Sequence, residues 1–353
     1  MGLPLFFYTS RFETYDFGPH HPLRPERLSR TRSLLLEKGL LLPGEEREPE
    51  PAREEDLLLV HTAGYIRAVK AGAADPLRGL GTGDNPVFPG MHEAGLLVTG
   101  GSIQAALLAV EGKASPAFNL SGGLHHALPD RASGFCIYND PAVAIARVKK
   151  DYGLKVAYLD IDAHHGDGVQ AVFYEDSTVL TVSLHESGRY LFPGTGFPEE
   201  MGRGRGRGYA LNIPLLPGTR DDSFLECLEL ALHAVEAFQP DLLVLQSGVD
   251  GHRLDPLAHL EYSTRGYRRG AELLRRFARE ILEGRWVVLG GGGYSWEDAV
   301  PRSWAVIWAA ATGRPVPPEI EDEEGEATPR EVARENRRVA SEAVRTCLQI
   351  MGR

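Results

Sequence analysis

The sequence predicts a doubly wound α/β fold on three observations: short apolar runs that read as buried strands, helical patterns between them, and chemically unusual residues just after the runs. Residues 155–159 (KVAYL), 179–184 (VLTVSL), Leu242–Gln246 (LLVLQ) and Trp286–Leu289 (WVVL) are the four runs. Most stop at polar or glycine residues, as strands of a parallel sheet covered on both faces do. Helical patterns occupy 141–150, 223–238 and 264–282. The second opens after Asp221-Asp222, which reads as a cap, and closes at Gln239-Pro240. A charged last helix over 330–351 is expected on the outside of the fold. The proline-containing, charged stretches at 43–55 and 314–329 read as a surface loop and as the connection to that helix. No internal linker is evident, so one domain over 1–353 is expected, with a core over 4–310 and a helical extension over 314–353. Ligands of such sheets bind beyond the carboxyl ends of the strands.

The bulk composition narrows the function. At 353 residues and 42% hydrophobic, the chain can bury a large core around one sheet. A net charge of -11 argues against nucleic-acid binding, which needs a basic face. The alternation over 202–208 (GRGRGRG) resembles an RNA-binding tract, but its place before Tyr209-Ala-Leu-Asn-Ile-Pro reads as a loop entering a strand. Three scattered cysteines, Cys136, Cys227 and Cys347, fit a reducing compartment. With neither a signal peptide nor a run of about 18 apolar residues, the expected location is the cytoplasm, without membrane attachment.

The first run leads into Asp160-Ile-Asp162-Ala-His164-His165-Gly-Asp167-Gly. Asp160 and Asp162 are two apart and point the same way while the strand lasts. One such residue is often only the cap of a following helix, but this many polar groups at a buried strand end need pairing or a cation. The LLVLQ run ends in Ser247-Gly-Val-Asp250. Asp250, with Asp162 and His164, makes an Asp/His/Asp set from two strand ends. Two carboxylates and a neutral imidazole balance a divalent ion and leave a position open for water, as in catalytic zinc sites. A set without thiolate also accepts Fe(II), Mn(II) or Co(II). A second pair, His125-His126, follows Ser121-Gly-Gly-Leu124; with Asp160 and Asp167 available as partners it reads as an acid–base group. The four glycines before Tyr294 permit close approach of a ligand, and with no Lys-Ser/Thr after them they are no P-loop. Tyr294 reads either as ordinary packing or as a hydroxyl aimed at an oxyanion beside the metal.

Taken together, GGLHHA, GFCIYND, DIDAHHGDG, VSLHE, FPGTG, SGVD and GGGGY, in this order, resemble the histone deacetylase superfamily over about residues 4 to 310. Within it the chain is similar to the bacterial acetoin-utilisation (AcuC-like) and acetylpolyamine-type branches. The resemblance implies an arginase/deacetylase fold, three-layered around a central eight-stranded, mainly parallel sheet, and zinc on Asp162, His164 and Asp250. It implies His126 with Asp167 as general base, His125 with Asp160 as its companion, and Tyr294 on the acetyl carbonyl. It places Phe135, Phe192 and Leu257 in the walls of a narrow tunnel with Gly134 and Gly292, Asp84 at its rim and Arg27 near an exit channel. It further implies potassium at an inner site (Asp160, Asp162, His164, Ser183, Leu184) and an outer one (Phe173, Asp176, Val179, Tyr209). The implied reaction is zinc-dependent hydrolysis of an N-acetyl amide, most plausibly acetyl-lysine in proteins, with acetyl-CoA synthetase a candidate partner. The alternatives are a small-molecule amidohydrolase such as an acetylpolyamine deacetylase, a non-catalytic acetyl-lysine binding module, and an arginase-like ureohydrolase with two metals.

Overall fold

A computed structural model describes residues 2–323 and 325–352, so the extension expected over 314–353 leaves the described residues at 324 and 353. The strands are β1 (Leu3–Phe7), β2 (Glu46–Arg47), β3 (Ala114–Asn119), β4 (Val156–Asp160), β5 (Val179–Glu186), β6 (Ala210–Leu215), β7 (Leu242–Gln246) and β8 (Trp286–Leu289). They form one eight-stranded sheet in the order β2-β1-β3-β8-β7-β4-β5-β6, with every pairing parallel. Every residue of β4, β5, β7 and β8 is buried; the runs are mainly apolar, and the polar residues Asp160, His185, Glu186 and Gln246 fall at their carboxyl ends.

Helices lie on both faces of the sheet: α1 (Glu26–Glu37), α2 (Glu54–Leu57), α3 (Ala63–Ala71), α4 (Met91–Val110), α5 (Asp140–Tyr152), α6 (Asp167–Phe173), α7 (Asp221–Phe238), α8 (Thr264–Ile281), α9 (Ala299–Thr312) and α10 (Arg330–Ile350). Local chemistry sets their ends. Asn139 caps α5 by accepting from Ala142 N at 3.0 Å, Pro141 sits in its first turn, and Gly153 closes it at φ 69°. Ser263 caps α8 in the same manner, its Oγ accepting from Arg265 N at 3.2 Å.

Three expectations need correction. Asp221 and Asp222 lie inside α7 rather than capping it. Asp221 accepts from Ser263 N at 2.8 Å, and Asp222 from Thr328 N at 3.0 Å, so both carboxylates join α7 to later segments. The stretch 43–55 is more than a surface loop: Glu46 and Arg47 pair with Phe6 and Phe7 as an edge strand, and buried Glu45 forms an ion pair with Arg314. α4 is long and apolar enough to cross a membrane by length and composition, yet 67% of that window is buried inside the fold. The eight-stranded sheet itself is as expected, with all of its pairings parallel.

As expected, α10 packs on the outside. It lays Ala340, Ala343, Val344 and Cys347 against α7 and β6. Its buried Asn336 accepts from Leu216 N at 3.0 Å and donates to Thr219 Oγ1 at 2.8 Å and Ser223 Oγ at 3.1 Å.

Candidate metal centre and active site

Four neighbouring strands, β3, β8, β7 and β4, deliver the candidate residues from their carboxyl ends. This is where the order reverses, with β1 to β3 on one side and β4 to β7 on the other, so the loops splay and leave a crevice. The two glycine segments make the crevice tight: a side chain on Gly123 would stand 2.8 Å from Gly291 N.

Asp162, His164 and Asp250 are all buried, and their potential ligand atoms lie within 4.8 Å of one another. Asp162 Oδ2 accepts from Gly292 N and Gln246 Nε2, each at 2.7 Å, while Asp250 Oδ1 accepts from Ala163 N at 2.7 Å. That turns the remaining oxygens toward His164 Nδ1, at 3.1 Å from Asp162 Oδ1 and 2.8 Å from Asp250 Oδ2. Burial alone would lower the His164 pKa, but Asp250 and Asp162 raise it well above the usual imidazole value. Burial, with Asp162 nearby, pushes the Asp250 carboxyl up to about 6. Two carboxylates and an imidazole converging in a dry site call for a shared positive charge. An O, N, O donor set of this kind fits a divalent cation.

Beside this triad, His125 Nδ1 lies 2.7 Å from Asp160 Oδ2, which also accepts from Tyr158 OH at 2.7 Å. His126 Nδ1 lies 2.6 Å from Asp167 Oδ1, and the two Nε2 atoms are 3.1 Å apart. At that separation one Nε2 donates and the other accepts, so the rings differ in protonation. Burial opposes charge on both. Asp160 and Asp162 nonetheless raise the His125 pKa, whereas burial and the nearby His125 depress that of His126. The pair is therefore poised as one imidazolium and one neutral base, the split that acid–base chemistry requires.

Over the site, the Tyr294 ring lies 6.5 Å from that of His164 and 5.7 Å from that of Phe135. Phe192 stands 5.0 Å from the His126 ring and 43% exposed. Gly134 lies between these walls: a side chain there would overlap His126 and come within 2.9 Å of Phe192 Cε1. A methyl on Gly292 would collide with Asp250 Oδ2. Phe135 itself has φ 68°, a strained value for a bulky residue. It is held by Tyr15, whose hydroxyl donates to Phe135 O and accepts from Ile137 N, each at 2.9 Å. Beneath the site, Arg27 Nη1 donates to Gly291 O at 2.7 Å and Gly293 O at 3.2 Å.

The remaining expected residues lie further out. Asp84 is exposed, and its carbonyl accepts from His21 Nε2 at 3.2 Å; the His21 ring meets that of Phe135 edge-on at 4.4 Å. Leu257 donates its N–H to Asp255 Oδ1 at 3.0 Å. Ser183 pairs with Asp160 across β4 and β5, with Leu184 next to it. Phe173, Asp176 and Val179 follow one another along the connection from α6 to β5, and Tyr209 O accepts from Thr181 N at 3.0 Å. The Lys149 ammonium meets the Asp176 carboxylate and lies 5.6 Å over the Phe173 ring.

Sequence reasoning missed the groups that hold these residues in place. Asp140 accepts from Gly123 N at 3.0 Å and Leu124 N at 2.9 Å, which fixes the turn before the histidine pair. Asn139 Nδ2 donates to His125 O at 3.2 Å and Ala127 O at 2.9 Å. Asp255 Oδ2 accepts from Tyr294 N at 2.8 Å. The GFCIYND motif contained the first two; for Asp255 there was no local signal beyond an Asp-Pro.

Residues 21–311 match the histone deacetylase domain family. The acetoin utilization protein AcuC of Bacillus subtilis (strain 168) is 47% identical over 327 residues, spanning 89% of this chain and 84% of that protein. The protein of the same name from Staphylococcus aureus (strain MRSA252) is 38% identical over 319 residues, 88% of this chain and 82% of the relative. Among solved structures, an HDAC homologue complexed with SAHA superposes with a TM-score of 0.87 at 33% identity, covering 97% of this chain and 100% of that one. An HDAC homologue from Aquifex aeolicus gives 0.86 at 33% identity with the same coverage.

Proposed function

The chain belongs to the histone deacetylase family, and from that premise we propose that it is a zinc-dependent deacetylase hydrolysing N-acetyl amides, acetyl-lysine in proteins foremost, to free amine and acetate. The observation that carries this reading is the convergence of Asp162, His164 and Asp250 beside a histidine pair whose Nδ1 atoms meet the carboxylates of Asp160 and Asp167. Zinc held by the triad would supply a Lewis acid that polarises an amide carbonyl and acidifies water.

The chain's own residues have separable tasks. Phe135 and Phe192 flank the entering side chain and exclude water. His126 accepts a proton from the attacking water at Nε2, with its Nδ1–H directed to Asp167. The Tyr294 hydroxyl donates to the oxygen that becomes negative as the water's oxygen bonds to the carbonyl carbon, worth about 3–4 kcal/mol in comparable sites. As the C–N bond breaks, a protonated histidine of the pair returns a proton to the leaving amine, and acetate departs. Arg27 lies along the acetate's way out. The same reading puts potassium at the inner set around Asp160 and Ser183, where it would hold Asp160 ionised, and at the outer set around Asp176. Fe(II) is the alternative metal. Three free cysteines among the described residues fit a cytoplasmic setting.

Purified protein loaded with zinc should release acetate from an acetyl-lysine peptide. Tyr294→Phe should cut the rate about a hundredfold with metal content intact. Stoichiometric zinc retained by an Asp162→Ala, Asp250→Ala double variant would sink the ligand assignment. The exposed Asp84 carboxylate favours a second reading, a cationic acetylpolyamine substrate. Turnover of acetylputrescine and acetylspermidine beside the peptide, and beside acetylated acetyl-CoA synthetase, separates the substrates.

A further inference from the structure

A buried polar cluster outside the reaction centre has no part in the chemistry above. His165, next to the ligand His164, points away from the metal: its Nε2 lies 3.1 Å from Gln170 Oε1 and its Nδ1 2.8 Å from Thr195 Oγ1. Gln170 Nε2 donates to Glu200 Oε2 at 3.0 Å. The directions of these bonds follow one from another. The Glu200 carboxylate only accepts, so Gln170 turns its amide nitrogen to Glu200 and its oxygen to His165. His165 Nε2 therefore carries the hydrogen, its Nδ1 is bare, and the Thr195 hydroxyl donates to it. His165 is buried to 1% exposure, so no water competes for these positions.

The far end of this relay is the irregular segment after β5 that carries Phe192. Three consecutive residues there are gripped from below. Thr195 is held by His165. Gly196 N and Phe197 N donate to Glu200 Oε1 at 2.8 and 3.0 Å, and Gly196 O accepts from His185 Nε2 at 2.9 Å. Phe192, three residues before, is the exposed wall of the tunnel. The opposite wall, Phe135, is fixed independently by Tyr15. Tunnel width thus depends on one wall fixed by Tyr15 and on a second wall whose segment is held by its own turn at Leu191 and Gly194 and by the relay at 195–197.

We propose that the chain Glu200–Gln170–His165–Thr195 clamps the Phe192 wall, and that Thr195 and Glu200 are positioning residues that limit the size of the acyl group admitted. The size limit rests on the deacetylase reading; the clamp does not. A small apolar pocket distinguishes one methylene by about 10-fold or more. Loss of one neutral hydrogen bond shifts a local equilibrium about fivefold to tenfold, comparable with that selection.

The test uses zinc-loaded full-length protein and the variants Thr195→Val, Thr195→Ser and Glu200→Gln. Two quantities are read: amide hydrogen exchange across residues 191–197, and kcat/KM on acetyl-, propionyl- and butyryl-lysine peptides. Thr195→Val should speed exchange in that segment about fivefold to tenfold and raise the butyryl-to-acetyl ratio of kcat/KM about tenfold, with metal content unchanged. Thr195→Ser keeps the hydroxyl and should match the wild type in both. Glu200→Gln replaces one of the two acceptor oxygens with an amide NH2, which leaves either Gln170 Nε2 or the 196–197 amides without an oxygen, and should follow Thr195→Val. Unchanged exchange in Thr195→Val, or a Thr195→Ser protein that behaves like it, overturns the clamp. Faster exchange with an unchanged acyl ratio overturns the role in selection. If the wild type hydrolyses none of the peptides, the deacetylase reading fails and takes the selection role with it. The exchange data then decide the clamp alone.

Discussion

Tyr15→Phe removes a single oxygen from a buried ring, and its cost follows from two contacts. The hydroxyl donates to Phe135 O and accepts from Ile137 N, each at 2.9 Å. Without it both backbone groups lose their partner in a site closed to water. Each loss costs about 1 kcal/mol, and more where no water replaces the bond. Phe135 is also held at φ 68°, a conformation costing about 1–3 kcal/mol that persists only while its surroundings impose it. Relaxation would recover part of that strain by moving the ring, so stability should fall by about 2 kcal/mol and the wall should shift. For 353 residues the melting temperature moves roughly 1.3 °C per kcal/mol, which gives a decrease of about 3 °C. The displaced wall should raise KM for an acetyl-lysine peptide about fivefold, with kcat changed less. Calorimetry and initial-rate kinetics on the purified variant measure both. A Tm within 0.5 °C of wild type (roughly 0.4 kcal/mol at this chain length), together with an unchanged KM, would refute the view that this hydroxyl sustains the strained wall.

Further consequences can be measured. Gly292→Ala places a methyl against Asp250 Oδ2 and 3.0 Å from Asp162 Oδ2, so zinc affinity should fall about a hundredfold, while retention of stoichiometric zinc through dialysis would count against it. Asp322 accepts from His252 Nε2, Thr264 N and Arg302 Nη1 at 2.7–3.0 Å; burial works against its ionisation, but His252, Thr264 and Arg302 hold its pKa far below the usual range. Asp322→Ala should therefore cost about 3 kcal/mol in denaturant unfolding, and a loss under about 1 kcal/mol would show that water replaces it. His61 donates from Nδ1 to Leu128 O and accepts at Nε2 from Asn139 N, and burial holds its pKa near 4. A folded value below the unfolded one of about 6.5 means a contribution complete above pH 6.5 and lost as the pH falls toward 4, about 3 kcal/mol in all. His61→Gln should flatten the acid limb of stability over that interval; an unchanged limb would exclude His61 as its source.

What could be read from the sequence depended on distance along the chain. β7 and β8 were legible to the residue, because a strand buried on both faces is an unbroken apolar run. β3 was not, since Pro116 argues locally against a strand, and β6 was legible only as a strand entered after the glycine-arginine loop, without its bounds. α4 was missed because it is buried over most of its surface and carries three glycines, so it shows no apolar stripe. The candidate ligands were legible because each lies within five residues of a strand end. Tyr15 and Asp140 were not: each acts on backbone far away in sequence, 120 residues for Tyr15 and Phe135 and 16 for Asp140 and Leu124. The Asp221-Asp222 pair misled for the same reason, its partners Ser263 and Thr328 being 42 and 106 residues on.

The way the sheet ends at its two sides bears on how copies of this protein meet. At one side stands β2, only two residues long, both charged, with Arg32 bound to Glu46 at 2.6 Å. At the other, α10 lies over β6, which also contains a proline without an N–H to offer. An open edge invites a neighbour's strand to add on and seeds aggregation. Among the described residues neither side presents a long uncovered strand, which disfavours strand addition between copies. Removing 330–350 would strip that cover from β6 and convert a closed flank into a sticky one.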